Sequence, residues 1–376
     1  MQNQIVWPDY DKSILGIPNS FLKHYGAAAT HATLPILDEA LAKGCKNVVF
    51  IVFDGMGIDM LRANLPPDAF LNRHIAQDIL SVYPSTTTAA ITAFESGLSP
   101  IEHGWLGWSC YFKEIDKCVD LFSNNDRATG QSAADAHMAN THMPYTFIGE
   151  KIKAAAPDVT VSRVSPFPQT QTHHASTMSE ICTHIRAICR QPGQQFIYAY
   201  HPHPDQTMHE HGCCVEPIKQ LARHINSEME RLCNTLEDAL VIITADHGLI
   251  DSVEARLDDY PAISECLAMM PSVDSRAVSF FVKEGMADIF RTRFNAQFGE
   301  DFILLTKEEA LSRGIFGVGI PHAKALDFIG DFVALAVGDL RIRMNTGPFK
   351  PKAMHAGITA QEMIVPLILI EREKRP

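Results

Sequence analysis

Residues 47–57 read Asn-Val-Val-Phe-Ile-Val-Phe-Asp-Gly-Met-Gly, and the fold is decided there. The apolar run 48–53 is unbroken rather than alternating, which predicts a strand covered on both faces. The same texture recurs at 196–200 (FIYAY) and 240–244 (LVIIT). Between these runs apolar residues recur at helical spacing, predicting helices near 58–65, 87–95, 176–190 and 215–236. Strands alternating with helices predict a mostly parallel sheet inside a three-layer α/β/α sandwich.

Outward from this core the texture changes over 272–320. A strand over 276–282, a helix over 287–298, a strand over 302–305 and a helix over 307–313 suggest a small inserted α+β subdomain. Core-like strands return at 328–337 and 363–370. The expectation is a single domain, 1–376, carrying that insertion.

Composition narrows the function. The chain has 376 residues, 46% of them hydrophobic and 20% charged, enough apolar material for a large core. With 32 Lys+Arg against 44 Asp+Glu, the net charge of −12 disfavours a partner bound through its phosphate backbone. An anionic small substrate then needs positive charge supplied by the site itself. The longest apolar stretches are strand-sized, well short of a membrane span. The first 23 residues have no basic segment followed by an apolar one, and nine irregularly spaced cysteines contain no CxxC pair; both lead to the expectation of a cytoplasmic protein with reduced thiols. No G-x-G-x-x-G follows an early strand and no GK[ST] occurs, which disfavours dinucleotide and P-loop chemistry.

The polar residues that follow the strands are the most informative. Asp54, with Gly55 and Gly57, ends the first run; Asp205 follows the second; Asp246, with His247 and Gly248, follows the third. In open α/β sheets ligands bind beyond the carboxyl ends of strands. Three carboxylates converging there would repel one another unless a cation lay between them. Asp205-x3-His209 puts two ligands one helical turn apart. Asp246-His247 supplies two more, and His355 stands ahead of the last strand. Three Asp and three His suit two divalent ions, with zinc expected and manganese an alternative. Each residue singly has an ordinary reading, an Asp capping a helix or a His on the surface; it is their order that points to a site. His173, His174, His201, His203 and His211 read as surface groups or as supports behind the ligands.

Between the first two carboxylates lies Tyr83-Pro84-Ser85-Thr86-Thr87-Thr88. A helix starting in this cluster would set a hydroxyl at its positive end, beside N–H groups suited to an anion. Such a hydroxyl attacks phosphorus only when a metal or base removes its proton.

These ordered motifs resemble the alkaline phosphatase superfamily and, within it, the type I phosphodiesterase/nucleotide pyrophosphatase family. The pieces are Val52-Phe53-Asp54-Gly55-Met56, Tyr83-Pro84-Ser85-Thr86-Thr87 leading to Ser96-Gly97-Leu98, His103-Gly104, Pro204-Asp205 with His209 and Gly212, Ala245-Asp246-His247-Gly248-Leu249, and His355. The resemblance implies an alkaline-phosphatase-like catalytic domain. Its nucleophile would lie ten residues before Gly97, at Thr87, with Thr86 the alternative. Asp54, Thr87, Asp246 and His247 would surround one zinc, and Asp205, His209 and His355 the other. It further implies a phosphothreonine intermediate, later hydrolysed. Where nucleotide pyrophosphatases carry an aromatic residue after the nucleophile, this chain has Thr88; where they carry Asn, it has Trp108. Both are candidate substrate contacts.

Two dications against three Asp leave one positive charge, which suits a monoanionic diester. A dianionic monoester would need an added Arg or Lys, and none stands in the motifs, although Arg163 or another distant residue could fold in. The expected substrate is therefore a small phosphate ester, a nucleotide included, with no nucleic-acid polymer and no membrane as partner. A phosphomonoesterase or phosphonate hydrolase on the same scaffold is the alternative. A non-catalytic metal- or phosphate-binding protein is the alternative from another class.

Overall fold

The computed structural model describes residues 4–167, 172–343 and 350–374. Its main sheet has seven strands in the spatial order Ile75–Leu80, Ile364–Arg372, Ala239–Thr244, Asn47–Phe53, Gln195–His201, Thr160–Ser165 and His173–His174. Only Ile364–Arg372 runs antiparallel to its neighbours. The three runs read as buried strands occupy the centre, and every residue of Asn47–Phe53, Gln195–His201 and Ala239–Thr244 is buried. Unbroken apolar strands of this kind persist only with cover on both faces. Two helix groups give that cover. Gly16–His24, Thr87–Ser96 and Ile148–Ala155 pack together in one; Ile58–Asn64, Met178–Cys189 and Glu216–Thr235 make up the other. The fold is the expected α/β/α sandwich.

The 272–320 segment lies in a second, antiparallel sheet. Its order is Phe302–Thr306, Phe332–Ala336, Ala277–Phe280, Ser272–Val273, Ser109–Phe112, Lys117–Asp120 and Asn125–Asp126. That sheet therefore draws strands from 109–126 and 332–336 as well as from 272–320. Phe280, Phe290, Phe294, Phe298, Phe302 and Phe332 fill the core on one side of it. Between the two sheets Arg276 and Glu362 form a fully buried pair, with Nε to Oε1 at 2.7 Å and Nη2 to Oε2 at 2.8 Å. Glu362 also accepts from the Gly357 amide at 2.8 Å and the Thr359 hydroxyl at 2.7 Å, which pins the turn just after His355.

Candidate active site

The three Asp residues meet at the carboxyl ends of the central strands because the backbone there is laced together. The Asp54 amide donates to the His201 carbonyl and the Asp205 amide to the Asp54 carbonyl, both at 2.9 Å. The amides of Gly55 and His247 donate to one oxygen of Asp246, at 3.0 and 2.9 Å. Gly55 has φ +73°, and a Cβ there would come within 2.8 Å of the Asp205 Cβ. Only glycine lets the two carboxylate-bearing loops approach so closely.

The Asp205–His211 helix gives the predicted spacing a physical form, with Asp205 Oδ2 3.2 Å from His209 Nε2. His355 Nε2 lies 3.8 Å from the other Asp205 oxygen. His247 Nε2 sits 3.5 Å from Asp54 and 3.4 Å from Asp246. Each imidazole engages a backbone carbonyl through Nδ1: His209 that of Ala353 at 2.7 Å, His247 that of Gly248 at 3.1 Å, His355 that of Ser85 at 3.2 Å. Such bonds hold the proton on Nδ1 and present the Nε2 lone pair as a ligand. The rings of His247 and His355 stack at 3.8 Å, so the two groups of residues adjoin.

Burial first, then the charges of Asp246 and Asp205, push the Asp54 carboxyl well above its usual range. Burial raises Asp246 too. In Asp205 burial is outweighed by His209, then by His355 and His247, and its carboxyl is held below the usual range. His209 is correspondingly raised, with Asp205 prevailing over burial, whereas burial and then the charge of His247 push His355 well down.

A divalent ion fits this donor set. One oxygen each of Asp54, Asp205 and Asp246 is buried with no hydrogen-bond partner, a costly state that a cation would relieve. Ligand atoms of Asp205, His209 and His355 lie within 4.8 Å of one another, as do those of Asp54, Asp205 and His247. Asp205 thus belongs to both triplets, a sharing the spacing does not reveal.

The helix Thr87–Ser96 runs from its cap residue Thr86 to Gly97 at φ +72°. The Thr87 hydroxyl is 3.2 Å from His247 Nε2, whereas that of Thr86 points the other way and donates to Asp274 at 3.1 Å. Thr87, Asp205, His209, His355 and Trp108 line one cavity of about 380 Å³, a size suited to a small ligand. Thr88 is fully buried and lies outside that lining. Of the remaining histidines, the rings of His201 and His203 lie 5.2 Å apart and tilted by 56°, and those of His173 and His184 lie 5.1 Å apart.

Several residues of the site carry no signal in the sequence. The Tyr200 hydroxyl donates to Asp54. Arg163 stays outside the cavity, paired with Glu95 over the Phe147 ring. Arg127, Arg341 and Arg343 line it instead. Only the alternation of Arg341 and Arg343 about Ile342, a strand with two basic residues on one face, was there to be read.

The sequence profile for type I phosphodiesterase/nucleotide pyrophosphatase matches residues 48–276, more than half of the chain. The chain belongs to that family and is a phosphodiesterase/pyrophosphatase-type hydrolase. Among solved structures, murine ectonucleotide pyrophosphatase/phosphodiesterase 5 is similar at 16% identity, with 87% of this chain and 88% of that one covered and a TM-score of 0.63. An inactive threonine-to-alanine variant of that murine protein is known in complex with AMP; it has 16% identity, 88% coverage of each chain and a TM-score of 0.62. Phosphonoacetate hydrolase from Sinorhizobium meliloti 1021 is similar at 14% identity, with coverage of 92% and 93% and a TM-score of 0.66. No match was found among curated protein sequences.

Proposed function

We propose that this chain is a two-metal phosphodiesterase or pyrophosphatase of small soluble esters, with Thr87 as nucleophile and a phosphothreonine intermediate. The observation that carries this reading is the Thr87 hydroxyl beside the buried Asp54–Asp246–His247 group, next to the Asp205–His209–His355 group. Asp54, Thr87, Asp246 and His247 would hold one ion and Asp205, His209 and His355 the other, with Asp205 close enough to serve both. Two divalent ions held there, zinc by the mix of imidazole and carboxylate, would supply Lewis acidity to the displacement. The chain's own part is placement. Thr87 starts a helix, so the backbone amides of that first turn face the phosphoryl group. The Tyr200 hydroxyl, bonded to one oxygen of Asp54, turns the other toward the cluster. Attack by the Thr87 oxygen expels the alcohol or phosphate leaving group, and water then cleaves the phosphothreonine bond.

Hydrolysis of phosphonates or monoesters is the second reading, favoured by the arginines lining the cavity. We read the whole chain as one catalytic domain with 272–320 as an elaboration of it. A reducing, cytoplasmic setting is supported by nine free cysteines. The test is a chelated enzyme titrated with zinc and assayed on bis-p-nitrophenyl phosphate and p-nitrophenyl phosphate. Activity lost on chelation, restored by zinc and higher on the diester is the expected result. An equally active metal-free protein would overturn the mechanism, and a preference for the monoester would favour the second reading.

A further inference from the structure

We propose that the substrate carries a second anionic group, a carboxylate or phosphoryl oxyanion, bound by Arg127 and Arg341 in the same cavity as Thr87. This rests on the hydrolase reading of the metal cluster and names the class of substrate it takes.

The arginines come from distant parts of the chain. Arg341 lies on the strand Leu340–Arg343, which pairs in parallel with Val253–Arg256 so that Arg341 stands opposite Glu254. Its side chain is only 8% exposed. It contacts Glu254 at 3.0 Å and donates to the Pro351 carbonyl at 3.2 Å, while its Nε is buried with no hydrogen-bond partner. Arg343 shares that same Glu254, at 3.1 Å, so two guanidinium groups divide one carboxylate. Arg127 follows the short strand Asn125–Asp126 of the second sheet. It donates from Nη2 to the Pro271 carbonyl at 2.8 Å, its Nη1 is buried without a partner, and it makes no ion pair among the described residues.

Each guanidinium is therefore held in place by fixed acceptors yet keeps one buried N–H group with no acceptor; Arg341 divides Glu254 with Arg343, and Arg127 feels the Asp120 carboxylate without forming an ion pair with it. A buried donor without an acceptor is costly unless a ligand completes it. The other carboxylate of that wall, Asp274, is engaged by the Thr86 hydroxyl and the Ser275 amide. In a chain of net charge −12, three arginines on one cavity wall are a local exception. Their forked donors match a planar carboxylate or a phosphoryl group, and the phosphorus centre itself belongs to the metal cluster. The remote anion then fixes which end of the substrate faces Thr87.

The test is calorimetric binding to the zinc-loaded protein, at buffered free zinc, of phosphonoacetate, phosphonoacetamide and 2-aminoethylphosphonate, which share a phosphonate and differ in remote charge. Binding of phosphonoacetate at least about tenfold tighter than the amide, with the ammonium weakest, is expected for a charge-assisted contact. Arg127→Gln and Arg341→Gln should each reduce the ratio and the double variant abolish it, their folds checked by circular dichroism. Methylenediphosphonate, compared with the amide in the same way, tells a carboxylate site from a phosphoryl site by which anion gains more. Equal affinities across the wild-type series, no binding of any of them by a protein that hydrolyses esters, or a preference that survives in the double variant would overturn the proposal. Selective binding by a protein that hydrolyses no ester would instead sink the hydrolase reading while leaving the anion site standing.

Discussion

At the scale of single residues, Thr87 is separated from its neighbours by direction. Its oxygen faces His247, whereas the Thr86 oxygen is committed to Asp274. Replacing Thr87 by Ala should lower kcat by on the order of 10³-fold or more while leaving two ions bound, because a lost nucleophile removes the covalent route but not the ligand cluster. Thr86→Val should cost no more than about tenfold. Steady-state kinetics together with metal analysis of both variants checks this, and the reverse ranking would move the nucleophile to Thr86. Tyr200 offers a second test at this scale. Losing its hydrogen bond to Asp54 in Tyr200→Phe should weaken metal affinity by about 10–100-fold. Competition against a chromophoric chelator reads that loss. The three Asp residues were legible in the sequence because each follows an apolar run, His209 and His247 because they stand at ligand spacing from Asp205 and Asp246, and His355 because it stands just ahead of the last strand. Tyr200 was not, because it lies inside such a run and reads as one more core aromatic. Arg127 lies just past a two-residue strand, where no local pattern marks it, and Arg341 was marked only by its alternation with Arg343 about Ile342.

At the scale of elements, the three central strands and four of the helices fell close to their expected bounds, as with Glu216–Thr235 against 215–236 and Met178–Cys189 against 176–190. The strand Thr160–Ser165 went unseen: four of the six residues of its sequence TVSRVS are polar, and it pairs between Gln195–His201 and the two-residue strand His173–His174 rather than at the apolar centre. The second sheet was only partly legible. Its strand Ser109–Phe112 pairs with Ser272–Val273 through Ser109 and Val273, 164 residues apart, and no local periodicity reports a partner so far away. What joins the two sheets is likewise remote. Arg276 and Glu362 are fully buried, bidentate, and bonded to the turn that follows His355. Glu362→Ala would leave a guanidinium buried without its counter-charge and should cost about 3–5 kcal/mol of stability. Denaturant unfolding measures that loss. The double variant Arg276→Met with Glu362→Leu should recover a large part of it, since no lone charge then remains buried.

At the scale of the whole molecule, the fold gathers buried negative charge that it does not neutralise by itself. The raised carboxyls of Asp54 and Asp246 mean that, in the metal-free protein, their contribution to stability is fully present below the ordinary carboxylate range and is lost as pH rises through their folded values. Asp205 has the opposite sign: its depressed carboxyl contributes above the ordinary range and loses that contribution as pH falls through its folded value. Cation binding requires every ligand to be deprotonated, so it takes protons from the groups whose values are raised and none from those whose values are depressed. Asp54, Asp246 and His209, which hold protons to higher pH than usual, must release them, whereas Asp205 and His355 have none to give. Zinc affinity should therefore rise with pH, with a net release of protons on binding. Calorimetry in two buffers of different ionisation enthalpy counts those protons directly. Zinc at 100 times its dissociation constant should also stabilise the fold by about 2.7 kcal/mol per site, and the gain in Tm should grow from mildly acid to neutral pH as the penalty it removes grows. A gain in Tm independent of pH would mean that the ion binds away from Asp54, Asp246 and His209.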